Sequence, residues 1–339
     1  MKFSKFFSTV KLMIDSFYRN IDYLRISITD RCNLRCLYCM PAEGVVRMTH
    51  TEILRYEEIA AIVRAAADVG ISKIRLTGGE PLVRPGVADL VSMLKAVDGI
   101  TDISMTTNAI LLEESAARLA DSGLDRVNIS LDSLDVEKFR TITRAGDIEK
   151  VFSGIEEAEA SGLGPVKINT VVIRGFNDDE IIDLADWAFS NSLHLRFIEF
   201  MPVNDSSFPF IEKHISSDEI RNLLFQYYPE LESCSIIGGG PAISWRRKLD
   251  TGSVGVIEAV SHSFCEHCNR IRLTADGMLK PCLFSNDEIN LLPALRDDVV
   301  INYDELFKKI EETIRCKPAS HVDFKRVNSD SRCMNEIGG

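Results

Sequence analysis

Six short segments of this chain, at 23–29, 73–77, 102–107, 126–131, 166–173 and 193–200, read as β-strands whose side chains alternate apolar and polar. Longer helical patterns lie between them, at roughly 52–69, 86–97, 113–122, 148–161 and 178–191. Gly70, Gly123 and Gly162 follow three of these, where a left-handed cap is expected. Strands and helices taken in turn imply an α/β fold with a parallel sheet. Parallel strands covered on both faces read as continuous apolar runs, and these do not. Leu24, Ile26 and Ile28 alternate with Arg25, Ser27 and Thr29, Ile74 and Leu76 with Arg75 and Thr77, and Ile103 and Met105 with Ser104 and Thr106. Val127 and Ile129 alternate with Asn128 and Ser130, Val166 and Ile168 with Lys167 and Asn169, and Leu195 and Phe197 with His194 and Arg196. One face packs beneath the helices. The other gathers charges, hydroxyls and amides, and buried charges without partners are costly. A curved or partial barrel around a solvated or ligand-filled lumen satisfies both faces. An antiparallel sheet with one wet face alternates too, but connecting helices of this length disfavour it.

Six of the nine cysteines fall in two tight groups, which suggests cofactor ligation in a reducing compartment rather than a secreted disulfide scaffold. Cys32, Cys36 and Cys39 form C-x3-C-x2-C directly after the first strand, and loops at the C-terminal ends of barrel strands are where active sites sit. Three thiolates hold three irons of a cubane and leave one iron without a protein ligand. Structural zinc asks for a fourth ligand, and the nearest histidine is His50. Cys265 and Cys268 form C-x2-C, with thirteen residues between Cys268 and Cys282. Asp276-Gly277 is a hairpin signal. With those two residues as the loop, Ala275 pairs with Met278 and Ile271 with Cys282, which returns Cys282 to the neighbourhood of Cys268. His262 and His267 stand beside this group, so a Cys3His zinc site and an iron–sulfur site are equally open on spacing alone. Cys234, Cys316 and Cys333 lack ligand spacing and read as packing or surface residues.

The first triplet, with Tyr38 ahead of its last cysteine, and Thr77-Gly78-Gly79-Glu80-Pro81 at the end of the next strand resemble the radical S-adenosylmethionine (SAM) superfamily. Longer segments extend the likeness over residues 14–339: DYLRISITDRCNLRCLYCMP, IRLTGGEPLVR, TTNAILL, RVNISLDSL, KINTVVIRGFNDDE, RFIEFMP, SFCEHCNRIRLTADGMLKPCLF and the terminal Gly338-Gly339. Together they resemble the GTP 3′,8-cyclase family of molybdenum-cofactor biosynthesis. The resemblance implies an incomplete (β/α)6-type TIM barrel as radical SAM core at 14–235, after an N-terminal extension at 1–13. A smaller C-terminal α+β domain at 236–339 would close the barrel's open mouth. It implies two [4Fe–4S] clusters, one on Cys32, Cys36 and Cys39, and an auxiliary one on Cys265, Cys268 and Cys282 that decides against zinc. SAM contacts fall on Tyr38, Gly79, Ser130 and Met201. GTP contacts fall on Arg25, Arg75, Thr106, Lys167, Arg270, Ile271 and Arg272, with Arg196 and Asn169 on or near the same lumen. The Gly338-Gly339 tail would reach into the active site. In the family's reaction SAM is cleaved reductively and hydrogen is taken from ribose C3′ of GTP. C3′ then joins guanine C8, giving 3′,8-cyclo-7,8-dihydroguanosine 5′-triphosphate. Implied partners are a one-electron reductant, cyclic pyranopterin monophosphate synthase as the next enzyme accepting the product, and a second copy in a homodimer. Ser244-Trp245 departs from the family, where tyrosines are frequent at these positions.

Lys and Arg number 39 against 51 Asp and Glu, a formal charge of −12 that disfavours broad nucleic-acid or anionic-membrane binding. No apolar run approaches the roughly 18 residues of a membrane span. Residues 1–20 are basic and amphipathic but have no continuous apolar stretch. Residues 1–13 read as a dispensable extension, and the expected location is the cytoplasm. Two alternatives share part of the pattern: another two-cluster radical SAM maturase, acting on peptide or RNA, and a non-catalytic iron–sulfur electron carrier.

Overall fold

A computed structural model describes residues 13–201, 209–238, 240–297, 300–321 and 332–338. Gly339 and residues 1–12 of the extension lie outside the described residues. The six strands form where the alternation places them: β1 (Tyr23–Ser27), β2 (Lys73–Thr77), β3 (Asp102–Thr107), β4 (Arg126–Ser130), β5 (Lys167–Val172) and β6 (His194–Glu199). Between them run α1 (Tyr56–Val69), α2 (Val87–Lys95), α3 (Ala116–Asp121), α4 (Val136–Thr143), α5 (Ile148–Ala160) and α6 (Ile181–Ser190). Helix α4 had no counterpart among the expected elements. Its N-cap Asp135 accepts from the amides of Glu137 and Lys138, but it buries only Phe139, Ile142 and Thr143, too few for a helical period to stand out. Gly70, Gly123 and Gly162 all adopt positive φ after helices.

The C-terminal part contributes α7 (Phe210–Lys213), α8 (Ser217–Tyr227), β7 (Glu232–Cys234), β8 (Ile243–Arg246), β9 (Ser253–Ile257), β10 (Arg270–Leu273), β11 (Met278–Lys280), β12 (Ile289–Asn290), α9 (Leu292–Arg296), α10 (Tyr303–Arg315) and α11 (Met334–Ile337). All strands join one open sheet of order β12-β11-β10-β1-β2-β3-β4-β5-β6-β9-β8-β7. Strands β1 to β6 are parallel, and β10 and β9 extend them in parallel at the β1 and β6 edges. The late sequence thus lengthens the barrel wall at both edges.

Leu24, Ile26, Ile74, Leu76, Ile103 and Met105 are fully buried with Ile59, Ile62 and Leu90 of the surrounding helices in one core. Each such side chain is worth about 1.5–3 kcal/mol of transfer free energy. On the opposite face, register rather than alternation alone matters. Cα pairing aligns Arg272, Arg25, Arg75, Ser104 and Arg126 in one row across five adjacent strands.

The β10–β11 hairpin differs from the two-residue loop expected at Asp276-Gly277. Arg272 pairs with Lys280 and Leu273 with Leu279, and the Thr274 amide donates to the Met278 carbonyl, so Ala275, Asp276 and Gly277 make the turn. Gly277 has φ +83°, the left-handed position of a three-residue loop. The shift moves the register by one residue, and Ile271 is not opposite Cys282. Cys282 still follows β11 at the end where β10 begins.

Candidate active site

The first cysteine triplet lies in the loop leaving the C-terminal end of β1, and Gly78-Gly79-Glu80 leaves the same end of β2. A Cβ on Gly78 would stand 2.5 Å from the Thr29 carbonyl oxygen, and one on Gly79 2.3 Å from that of Arg31. The Gly79 and Glu80 amides donate to those same carbonyls, both at 2.8 Å. The close approach that requires these glycines is therefore to the backbone leading into the cysteine loop. Glu80 is the bolt behind it. Its carboxylate accepts from the Thr107 hydroxyl and the Asn108 amide at 2.7 Å each, and burial pushes its pKa up to about 7. Tyr38 donates to Asp132 Oδ2 at 2.7 Å, while burial raises Asp132 to about 6. Ser130 ends β4 and half-buried Met201 follows β6. Tyr38, Gly79, Ser130 and Met201 thus share the C-terminal end of the barrel with the first triplet.

The second triplet occupies the other end. Cys265 and Cys268 precede β10, which runs parallel to β1, and Cys282 follows the antiparallel β11. Three residues outside the sequence-based candidates hold this loop. Buried Arg19 donates to the Cys265 carbonyl at 2.8 Å and to the carbonyls of Ala319 and Pro318 at 3.0 and 2.7 Å. Lys317 Nζ donates to the carbonyls of Arg270 and Pro281 at 2.8 and 2.9 Å. His321 Nδ1 lies 2.8 Å from Cys265 Sγ. Burial works against the Cys265 thiolate, yet its hydrogen bond to His321 brings the thiol down to about 7. The histidines adjacent in sequence are elsewhere: His262 pairs with Asp218 at 3.1 Å, and His267 is exposed.

Between the two ends lies the polar lumen. Five-residue strands rising about 3.3 Å per residue set the triplets roughly 15 Å apart along the axis. Arg25, Arg75, Lys167, Arg196 and Arg272 are all buried there. Arg126, not among the sequence-based candidates, joins them and pairs with Asp102. Burial first, then the neighbouring Arg272 and Arg75, hold Arg25 well below its ordinary pKa. Burial, reinforced by Arg75, lowers Arg196 to about 9, and burial with Arg270 beside it lowers Arg272 to about 10. Burial and Arg196 lower Lys167 to about 7. Thr106 Oγ1, Arg126 Nε, Asn169 Oδ1 and Arg196 Nε are buried without hydrogen-bond partners among the described residues. Lys167, Arg196, His194, Ser244 and Cys234 also line a cavity of about 300 Å³. Crowded cations with orphaned donors are the complement of a polyanion. Ile271 is different: its side chain is fully buried in the apolar core, paired with Leu24, so only its backbone faces other work.

The C-terminal segment enters the lumen. Asn335 Nδ2 donates to the Asp30 carbonyl at 2.9 Å, and Arg272 Nη1 donates to the Gly338 carbonyl at 2.6 Å. Gly338 has φ +70°, and a Cβ there would meet Thr77 Cγ2 at 2.5 Å, so any larger residue would strain the backbone and have to displace the Thr77 side chain. Arg332 clamps the segment at its base, reaching both Asp276 and Glu288 at 2.8–3.1 Å. Replacing Arg332 by Ala removes these charge-assisted bonds. We expect carboxypeptidase to trim the C-terminus at least about tenfold faster, with Arg332→Lys intermediate.

The comparisons with known proteins agree with this geometry. A family model described as the radical SAM superfamily matches residues 26–188, and one described as Molybdenum Cofactor Synthesis C matches residues 193–323. A GTP 3′,8-cyclase of Petrotoga mobilis is 45% identical over 327 residues, and one of Moorella thermoacetica 48% identical over 327 residues. Each alignment spans 96% of this chain and all of the relative. The chain belongs to the GTP 3′,8-cyclase family. The fold of Streptococcus suis SuiB bound to S-adenosylmethionine is also similar, with a TM-score of 0.60 at 16% identity, over 89% of this chain and 68% of that one. GTP 3′,8-cyclases are radical SAM enzymes that use [4Fe–4S] clusters, and the donor chemistry here fits such groups. None of the six triplet cysteines is in a disulfide. Burial pushes Cys32 up to about 11 and Cys39 to about 12, so three adjacent thiolates need a positive metal centre among them. Lys317 and Arg270 hold Cys268 below its ordinary value against burial. Among the described residues no three His, Cys, Asp or Glu side chains converge on a single-ion site.

Proposed function

We propose that the arginine-lined lumen holds GTP between the two thiol triplets, its triphosphate among Arg25, Arg75, Arg126, Lys167 and Arg196 and its base toward Arg270, Arg272 and the second triplet. The observation that carries this is the placing of the triplets at opposite ends of one polar chamber. A cluster on Cys32, Cys36 and Cys39 with bound SAM supplies the one-electron chemistry that activates ribose C3′ for bonding to guanine C8. The chain's own work is positional. Glu80 and Gly78-Gly79 hold the cysteine loop against β2, Tyr38 is tied to Asp132, and the cations fix the polyphosphate. Gly338, held by Arg272, borders the same lumen and helps keep water out. No His-based triad or carboxylate pair is required. A one-electron reductant, the next enzyme of the pathway as product acceptor, a homodimer and a cytoplasmic setting complete this reading. Among the described residues no helix is long and apolar enough to cross a membrane. An anaerobic single turnover with reductant, SAM and GTP, followed by mass analysis of the nucleotide, tests it. The cyclised nucleotide and 5′-deoxyadenosine are expected together; 5′-deoxyadenosine without nucleotide change would favour a maturase, and neither product an electron carrier.

Lys167 gives the binding step a pH signature. Free, its pKa is about 7; a bound polyphosphate restores the ammonium. Nucleotide binding therefore takes up a proton between about pH 7 and the ordinary lysine range, and affinity falls as pH rises through that window. Calorimetry at about pH 8.5 in two buffers of different ionisation enthalpy should show uptake approaching one proton, lost in Lys167→Met.

A further inference from the structure

The loop at 31–47 carries Arg31, Arg35 and Arg47 against a single carboxylate, Glu43, on a chain of net charge −12. Arg31 and Arg47 are exposed, and with Arg35, Asn33 and Cys32 they line a cavity of about 210 Å³. Of the first triplet only Cys32 borders it, and none of the lumen-facing strand positions does. Arg144, also exposed, extends the rim by donating to the Arg35 and Met40 carbonyls at 3.1 Å. Asp30, also in the wall, is 2% exposed and already accepts from the Met48 amide at 2.8 Å. The surface beside a thiol of the first triplet is thus cationic on a molecule whose net charge is −12.

Such a reversal of sign has a consequence for partners. At distances beyond the Debye length, about 8–10 Å, the net negative charge repels an acidic protein only weakly. Inside that range a local patch decides orientation and on-rate. We propose that the arginine rim beside Cys32 is the docking face for an acidic protein that carries single electrons. This rests on the function proposed above, which requires a one-electron donor. In the step served, one electron leaves the reduced carrier, oxidising it by one equivalent. That electron enters the iron centre held by Cys32, Cys36 and Cys39, and no proton or leaving group moves.

The test uses the full chain with its clusters loaded, a reduced flavodoxin of acidic composition, and a variant carrying Arg31→Glu and Arg47→Glu. Stopped-flow bleaching of the iron–sulfur absorbance should slow about tenfold or more with flavodoxin. Reduction by the small cation reduced methyl viologen should not slow. Binding of oxidised flavodoxin, followed by titration, should weaken by a similar factor and lose much of its salt dependence. A milder variant, Arg31→Gln with Arg47→Gln, should fall between, and matching iron content guards against damage to the loop. Equal slowing with both donors, or unchanged flavodoxin binding, would overturn the proposal. Cyclised nucleotide formed with methyl viologen reports on the proposed function separately.

Discussion

Replacing Cys265 by alanine is expected to leave part of the SAM cleavage running while the cyclised nucleotide disappears. The two triplets stand at opposite ends of the parallel strands, so loss of a thiol at one end leaves Gly78-Gly79-Glu80 and Tyr38 undisturbed at the other. Iron content should fall from about eight to about four per chain. Cys36→Ala gives the converse: the same loss of iron but no 5′-deoxyadenosine at all. Product and iron assays on the two variants decide the matter. Loss of SAM cleavage in both would mean that the second triplet is needed to build the first site rather than to use its radical.

Gly79→Ala is the other large effect. The added methyl would stand 2.3 Å from the Arg31 carbonyl oxygen, and backbone in a packed loop does not yield as a long side chain does. Either the amide bonds from Gly79 and Glu80 to the cysteine loop break or the loop is displaced. The cost is about 3 kcal/mol, with a fall in melting temperature of roughly 5 °C or more. The apo chain should show the melting shift, and the reconstituted chain about half the normal iron. Gly162→Ala is the control, since nothing lies within 4 Å of the added atom and the only penalty is that of its left-handed backbone, about 1–2 kcal/mol. A Gly79→Ala chain that melts normally and holds full iron would show that the loop relaxes freely around the methyl.

Much of the site is legible because a strand has period two. Arg25, Arg75, Lys167 and Arg196 each sit between apolar neighbours, so alternation alone assigns their side of the sheet. Arg126 and Asp102 begin β4 and β3, and each has an apolar neighbour on one side only, which leaves the alternation weaker there. Helix α4, with three buried side chains, and the three-residue β10–β11 turn are less legible, because one extra loop residue changes register without changing composition. His321, Lys317 and Arg19 leave no local mark. Arg19 meets Cys265 across 246 positions and Ala319 across 300.

The sequence by itself determined the chemistry on offer: two thiol triplets, a glycine pair after the second strand, and which alternate residues face the lumen, because these depend on spacing along one strand or loop. Only the tertiary structure decided that Arg272, Arg25, Arg75 and Arg126 form one row, that the late strands flank both edges of the early ones, and that Arg332 pins the tail where Arg272 meets Gly338. Those facts depend on which strand pairs with which and in what register. Pairing is set by burial summed over the whole sheet, and no single segment carries it.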